Sequence, residues 1–267
     1  MLNSGFTIPV IGFGTWSLND KVAEQAVFQA IQVGYRLIDT ARYYNNEIGT
    51  GKGIQKAIEA GIVQREDLFI TTKLMPTSSS SNARKYIDDS LSNLGLEYLD
   101  LMLVHQSGFG DKTTYQVLEQ AVKTGKIRSI GISNYYNSKE FERIIKDEDI
   151  IPAVIQNENH IFYQNNELQK YLREYGTIIE SWYPFGGKYN IKESFNNITI
   201  KKIANNHGKT PSQIILRWQI QAGYVPIPGS SNPIHIQENF NIFDFELTSD
   251  EMDEILQLNR NKRYESW

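Results

Sequence analysis

Residues 67–106 read DLFITTKLMPTSSSSNARKYIDDSLSNLGLEYLDLMLVHQ. The stretch begins and ends with apolar runs, DLFITTKL (67–74) and YLDLMLVHQ (98–106). Neither alternates strictly between apolar and polar, which suits parallel strands buried on both faces. Between them, TSSSSN (77–82) reads as a loop ending in an N-cap. Ile87, Leu91 and Leu94 then recur at helical spacing, and Gly95 follows as a stop signal. Strand, helix, strand in this order implies a right-handed crossover within a parallel sheet.

The same unit recurs along the chain. Further apolar runs are VIGFGTW (10–16), YRLIDT (35–40), IRSIGISN (127–134), AVIQNE (153–158), TIIESW (177–182) and YVPIPGS (224–230), making eight in all. Helical patterns cover 20–33, 47–60, 80–94, 114–124, 138–147, 166–175, 197–206, 211–221, 233–240 and 248–259. No Pro-, Ser- or Gly-rich linker divides the 267 residues. Eight strands in a chain near the ~250 residues of a closed barrel favour a single α/β domain over 1–267, a (β/α)8 TIM barrel, over an open sheet.

Composition narrows the function. Hydrophobic residues make up 40% and charged residues 22%, as in an ordinary globular protein. The net charge of -4 argues against a nucleic-acid partner. With no cysteine, thiolate chemistry, disulfides and iron–sulfur clusters are excluded. His105, His160, His207 and His235 form no metal-binding pattern, so no metal is expected. No run approaches the ~20 apolar residues of a membrane span. MLNSGFTIPVIGFGTW lacks the pattern of a signal peptide, so a cytoplasmic location is expected. No heptad or large apolar patch is visible, which favours a monomer.

In a barrel, chemistry gathers where strands end. The second, third and fourth runs end in Asp39, Lys73 and His105: an acid, a base and an imidazole on adjacent staves. Buried charges are costly unless paired, and Asp39 with Lys73 is the obvious pair. Each residue alone is more readily structural than catalytic. Their convergence with a tyrosine and amide side chains at one rim points to a site. Two phosphate-loop lookalikes fail. GTGKG (49–53) lies in a helical pattern and lacks the Ser or Thr after Lys52. GFGTWS (12–17) lacks the third glycine of a dinucleotide fingerprint.

DTARYYNNE (39–47), TTKL (71–74), LVHQ (103–106), GISN (131–134), QNENH (156–160) and IPGSSNPIHIQEN (227–239) together resemble the aldo-keto reductases, in that family's order and spacing. The resemblance runs from Gly12 to about Glu251. It implies a barrel that binds an extended nicotinamide cofactor without a Rossmann fold, with a catalytic tetrad at Asp39, Tyr44, Lys73 and His105. Tyr44 would donate the proton, Lys73 would stabilise the phenolate, Asp39 would orient Lys73, and His105 would donate to the carbonyl oxygen. Cofactor contacts would come from Gly14, Thr15, Ser133, Asn134, Gln156, Trp182, Pro184, Phe185, Gly229, Ser230, Ser231, His235, Glu238 and Asn239. Ser133, Asn134 and Gln156 would hold the nicotinamide carboxamide, and Trp182 would stack on its ring. Pro184-Phe185-Gly186-Gly187 would line the pyrophosphate. Glu158 and His160 would support the site from behind.

The chain departs from the resemblance at several points. It has Gly229 and His235 where the family often carries Lys and Arg against a 2′-phosphate, which narrows the advantage of NADP(H) and makes NAD(H) possible; the resemblance still implies that NADP(H) is preferred. Gln106-Ser107-Gly108 replaces a frequent Trp-Pro, and the following loop is short. A shallow pocket walled by Trp16, Tyr43, Phe109, Trp182 and Trp267 is implied; His207 is expected at the surface. The reading is NADPH-dependent reduction of small carbonyl substrates. Its rivals are a non-catalytic cofactor-sensing subunit and a Schiff-base aldolase using Lys73.

Overall fold

Eight strands hydrogen-bond in chain order, each parallel to the next: β1 (Gly12–Gly14), β2 (Leu37–Asp39), β3 (Phe69–Leu74), β4 (Leu99–Val104), β5 (Ile127–Ser133), β6 (Val154–Glu158), β7 (Ile178–Trp182) and β8 (Val225–Pro226). The seam between β8 and β1 is drawn together by Gly14 N–H donating to the Pro228 carbonyl at 3.2 Å. This computed structural model describes residues 1–266, and Trp267, expected at the pocket wall, lies outside them.

The helices are α1 (Asp20–Val33), α2 (Glu47–Glu59), α3 (Ser80–Leu94), α4 (Asp111–Lys123), α5 (Ser138–Ile145), α6 (Asn166–Leu172), α7 (Gly187–Asn196), α8 (Ile198–His207), α9 (Pro211–Gln221), α10 (Pro233–Phe240) and α11 (Ser249–Leu256). The expected ranges 20–33, 80–94, 211–221 and 233–240 coincide with α1, α3, α9 and α10. Their ends carry local chemistry. Asn19 accepts from Val22 N–H, Ser79 accepts from Asn82 N–H, and Thr210 and Gln213 form a capping box. Gly34 and Gly95 close the first two.

Three differences have physical causes. The eighth run pairs over only two residues, because Pro226 and Pro228 lack N–H groups. The helix expected over 114–124 begins at Asp111, whose carboxylate accepts from Gly108 N–H, Tyr135 and Arg143. And α7 was not expected: its ten residues open on glycine, and Ser194 is its one buried side chain.

GTGKG serves packing. It lies in α2, where a Cβ on Gly49 would stand 1.9 Å from the Asp20 carbonyl oxygen and one on Gly51 2.4 Å from that of Leu94. Those glycines let α2 wedge between α1 and the end of α3. Inside the barrel, Leu37, Phe69, Leu101, Leu103, Val154, Val225 and Ile227 form an apolar layer, plugged from the N-terminal segment by Leu2 and Ile8. Each such side chain contributes roughly 1.5–3 kcal/mol on burial. No helix among the described residues is long and apolar enough to cross a membrane.

Candidate active site

Above the apolar layer the barrel interior turns polar. Lys73 is fully buried on β3. Its ammonium donates to Asp39 Oδ1 at 2.6 Å, the Thr40 carbonyl at 2.8 Å and the Tyr44 hydroxyl at 3.1 Å. All three donors are therefore satisfied. Burial alone would strip the charge, but Asp39 and Tyr44 outweigh it and hold Lys73 above the usual lysine range. Burial pushes the Asp39 carboxyl up, against the pull of Lys73 and of a hydrogen bond from Gln156. An amine with no exposed surface and no free lone pair cannot attack a carbonyl, so the geometry opposes the Schiff-base reading.

Tyr44 reaches Lys73 through the turn after β2. Residues Arg42–Tyr44 form one turn of 3-10 helix, and Asn45 follows at φ 55°. Asn46 is buried and ties the turn down: it accepts from Thr40 Oγ1 and donates to the carbonyls of Thr15 and Leu18 at 2.9 Å each. Glu47 accepts from Thr72 Oγ1 at 2.8 Å. These two residues are part of DTARYYNNE, and the sequence alone assigned them no role. Burial pushes the Tyr44 phenol up, Lys73 pulls it down, and Asp39 and Glu180 add to the rise.

His105 follows β4, with its ring 5.6 Å from that of Tyr44. Burial, and then Lys73, push its imidazole down to about 3, so it is neutral. Its Nδ1 is buried with no partner, which leaves Nε2 as the nitrogen available to the cavity.

These groups open on a cavity of about 570 Å³ at the C-terminal ends of the strands. Of the expected residues it unites Gly14, Trp16, Asp39, Tyr43, Tyr44, His105, Ser133, Asn134, Gln156, Trp182, Pro184, Phe185 and Gly229. Lys73 lies behind Tyr44 rather than in the wall. Thr15 is fully buried behind β1. Ser230, Ser231 and His235 lie beyond the cavity at the start of α10, and His235 is exposed. Asn239 is buried. Glu238 is engaged elsewhere: it accepts from Thr210 Oγ1 at 2.9 Å and Ser212 Oγ at 2.6 Å, bracing the start of α9.

Phe109 does not wall the pocket. It is 90% exposed, because the chain reverses through Gly108 and Gly110 while Asp111 is pulled inward. Met75 and Gln106 line that side instead. Tyr183, Lys188, Tyr189 and Ile191, after β7 and on α7, also line it. Their signal was weak, since α7 opens on glycine and its one buried side chain is Ser194. His207 is not a simple surface residue; it is half-buried and pairs with Glu251 at 2.9 Å, joining α8 to α11.

The amide groups are already oriented. Asn134, at φ 65°, donates to the His105 carbonyl and accepts from Trp182 Nε1 at 3.1 Å and the Tyr136 hydroxyl at 3.0 Å. Ser133 Oγ donates to the Gln156 carbonyl at 2.9 Å. Gln156 Nε2 donates to Asp39 and to Glu180. Glu158 and His160 are fully buried and bonded at 2.9 Å. The Glu158 carboxylate also accepts from Tyr264 N–H at 2.6 Å and Glu265 N–H at 3.0 Å. This pair therefore moors the C-terminal tail beside the barrel mouth.

The family model described as "Aldo/keto reductase family" matches residues 10–260. An "NAD(P)H-dependent D-xylose reductase I,II" of Candida tropicalis is 36% identical, over 98% of this chain and 93% of its own. That alignment runs over 301 positions, more than the 267 residues here, so the yeast enzyme has segments this chain lacks. A "9,11-endoperoxide prostaglandin H2 reductase" of Trypanosoma cruzi is 38% identical, over 98% of this chain and 92% of its own. Among solved structures, an aldo-keto reductase from a Medee basin deep-sea metagenome library superposes with a TM-score of 0.94 at 36% identity, covering 99% and 96% of the two chains. A Bombyx mori aldo-keto reductase in complex with NADP gives 0.90 at 34% identity, covering 98% and 92%. With the eight-stranded barrel and the Asp39, Tyr44, Lys73 and His105 cluster at its mouth, a match of this length means that the chain belongs to the aldo/keto reductase family.

Proposed function

We propose that this chain reduces small aldehydes, ketones or vicinal dicarbonyls to alcohols with NADPH, and accepts NADH. The observation that carries the reading is the Lys73 ammonium, bonded to both Asp39 and the Tyr44 hydroxyl beneath a cavity that His105 also faces. The residues present fit a nicotinamide cofactor. Gln156 Oε1 and the Ser133 oxygen remain as acceptors, and Asn134 Nδ2 keeps a second proton, which matches the donor and acceptor needs of a carboxamide. Trp182 offers an aromatic wall, and Lys188 a cation near the mouth. Related proteins named for NAD(P)H, or solved with NADP, support the same cofactor.

A bound dihydronicotinamide supplies the hydride. The rest falls to the protein. Tyr44 gives its hydroxyl proton to the carbonyl oxygen as charge builds there. Lys73, kept charged by Asp39, stabilises the phenolate left behind. Neutral His105 donates an N–H to the same oxygen, an oxyanion-hole contribution that typically amounts to ~2.7–4 kcal/mol. Trp16 and Tyr43, stacked with centroids 6.5 Å apart, keep water from one side of the mouth.

The test is steady-state oxidation of NADPH and NADH against aldehydes, ketones, dicarbonyls and sugars. Several small carbonyls should turn over with weak binding. Free sugars should be poorer, because their open-chain form is scarce and this chain lacks segments that the xylose reductase carries. No turnover with any carbonyl would sink the reading in favour of a cofactor-sensing role. We further propose a cytoplasmic monomer, and the acidic balance speaks against a nucleic-acid partner; light scattering checks the monomer.

A further inference from the structure

Glu180 has no part in the chemistry above, yet it is fully buried on β7 beside the tetrad. Gln156 Nε2 donates to Glu180 Oε2 at 2.6 Å and to Asp39 Oδ2 at 2.8 Å, so one amide spans two carboxyl groups. Glu180 Oε1 is buried with no hydrogen-bond partner. The charged and titratable groups around it are Asp39 from β2, Lys73 from β3 and Tyr44 from the turn after β2. Gln156 beside it on β6 is neutral, and Val225, its partner on β8, is apolar.

Two carboxylates beside a single ammonium would leave a net negative charge in a dry interior, which is costly. Asp39 is bonded directly to Lys73 and keeps its charge. Glu180, with one bare oxygen and only an amide for a donor, is the group that must be neutral. We propose that Glu180 is a positioning residue that works as a neutral acid, fixing the Gln156 amide and weakening Tyr44 as proton donor when its own proton leaves to water. The proposal rests on the reading of Tyr44 as the acid. Burial and the Asp39 charge push the Glu180 carboxyl up to about 8. Below that value the site carries the charge balance of the Asp39–Lys73 pair. Above it, a new negative charge opposes formation of the Tyr44 phenolate, so reduction slows as pH rises.

Glu180→Gln keeps the shape and the acceptor for Gln156 but cannot ionise. In the wild type, kcat for reduction should fall through the titration of Glu180 to a lower plateau. In E180Q that limb should vanish, or shift upward to the titration of another group. An identical alkaline limb in both proteins would overturn the proposal. A second readout needs neither cofactor nor turnover. The infrared difference between wild type and E180Q should show a protonated-carboxyl band at about neutral pH that disappears at about pH 9. If E180Q does not fold, the pH-difference spectrum of the wild type alone reads the same band. A missing band in an active enzyme sinks the Glu180 proposal alone; a wild type inactive on every carbonyl sinks the reductase reading and the Tyr44 step together.

Discussion

The Tyr44 hydroxyl sits 3.1 Å from an ammonium that already serves a carboxylate and a carbonyl. Burial keeps the phenol protonated, and Lys73 lowers the cost of giving up that proton. Tyr44→Phe keeps the ring and removes the acid. Its kcat should fall by ~10² or more, with cofactor affinity nearly unchanged, in fluorescence titration and steady-state assays. A variant at near wild-type rate would mean that the proton comes from elsewhere. Lys73→Met should be worse in two respects. It removes the charge behind the phenol and leaves Asp39, only 2% exposed, without its cation. Removing one partner of a buried pair costs roughly 3–5 kcal/mol, so denaturant unfolding should show a large loss beside the loss of rate. A stable, active Lys73→Met protein would refute the pairing.

The β8–α10 connection governs the cofactor's adenosine end in this reading. A Cβ on Gly229 would stand 2.4 Å from the Gly14 carbonyl oxygen, at the closing seam of the barrel. A lysine cannot be placed there without moving β1, so the missing cation at Gly229 is tied to packing. His235 is different: it is exposed on α10, near Asn232 at 3.5 Å. His235→Arg should therefore be tolerated and should tighten NADPH selectively over NADH. A charge-assisted bond contributes about 1.5–3 kcal/mol at best, roughly a ten- to hundredfold ceiling. Fluorescence titration of both cofactors checks it. Equal tightening, or none, would show that the 2′-phosphate does not lie against this segment.

Across the molecule, two buried groups with opposite shifts shape stability against pH. His105 is pushed down to about 3, against ~6.5 when unfolded, so the unfolded chain binds the extra proton and stability is lost as pH falls through that window. Glu180 is pushed up to about 8, against ~4.3 when unfolded, so the folded chain binds the extra proton and stability is lost as pH rises through that window. The two slopes cancel between about 4.3 and 6.5. From about 6.5 to 8 the His105 slope is gone, and Glu180 contributes a loss of about 2 kcal/mol. Thermal unfolding of the wild type should thus decline over that range, and in Glu180→Gln the decline should flatten. A flat wild-type curve there would contradict the shift.

The barrel was legible because its information is local and repeated. Doubly buried strands are predominantly apolar, helix ends need caps, and both are written in short stretches, the caps at Asn19, Ser79, Thr210 and Gly95. Asp39, Lys73 and His105 could be found for a related reason: in a barrel, where a strand ends is also where its residues meet. Helix α7 escaped because it opens on glycine and its one buried side chain is a serine. Phe109 was misplaced because a glycine pair sets the direction of a loop, and that direction depends on Asp111 finding Arg143 and Tyr135 far along the chain. Glu158 and His160 could be named but not understood until the tail lay against them. Glu180 reads as one polar residue in an apolar run. Its neighbours Asp39 and Gln156 lie 141 and 24 positions away, and only closure of the barrel brings three carboxyl and amide groups within hydrogen-bonding distance. Periodicity encodes what each segment buries; protonation depends on which charges the fold sets side by side, and that sum is long-range.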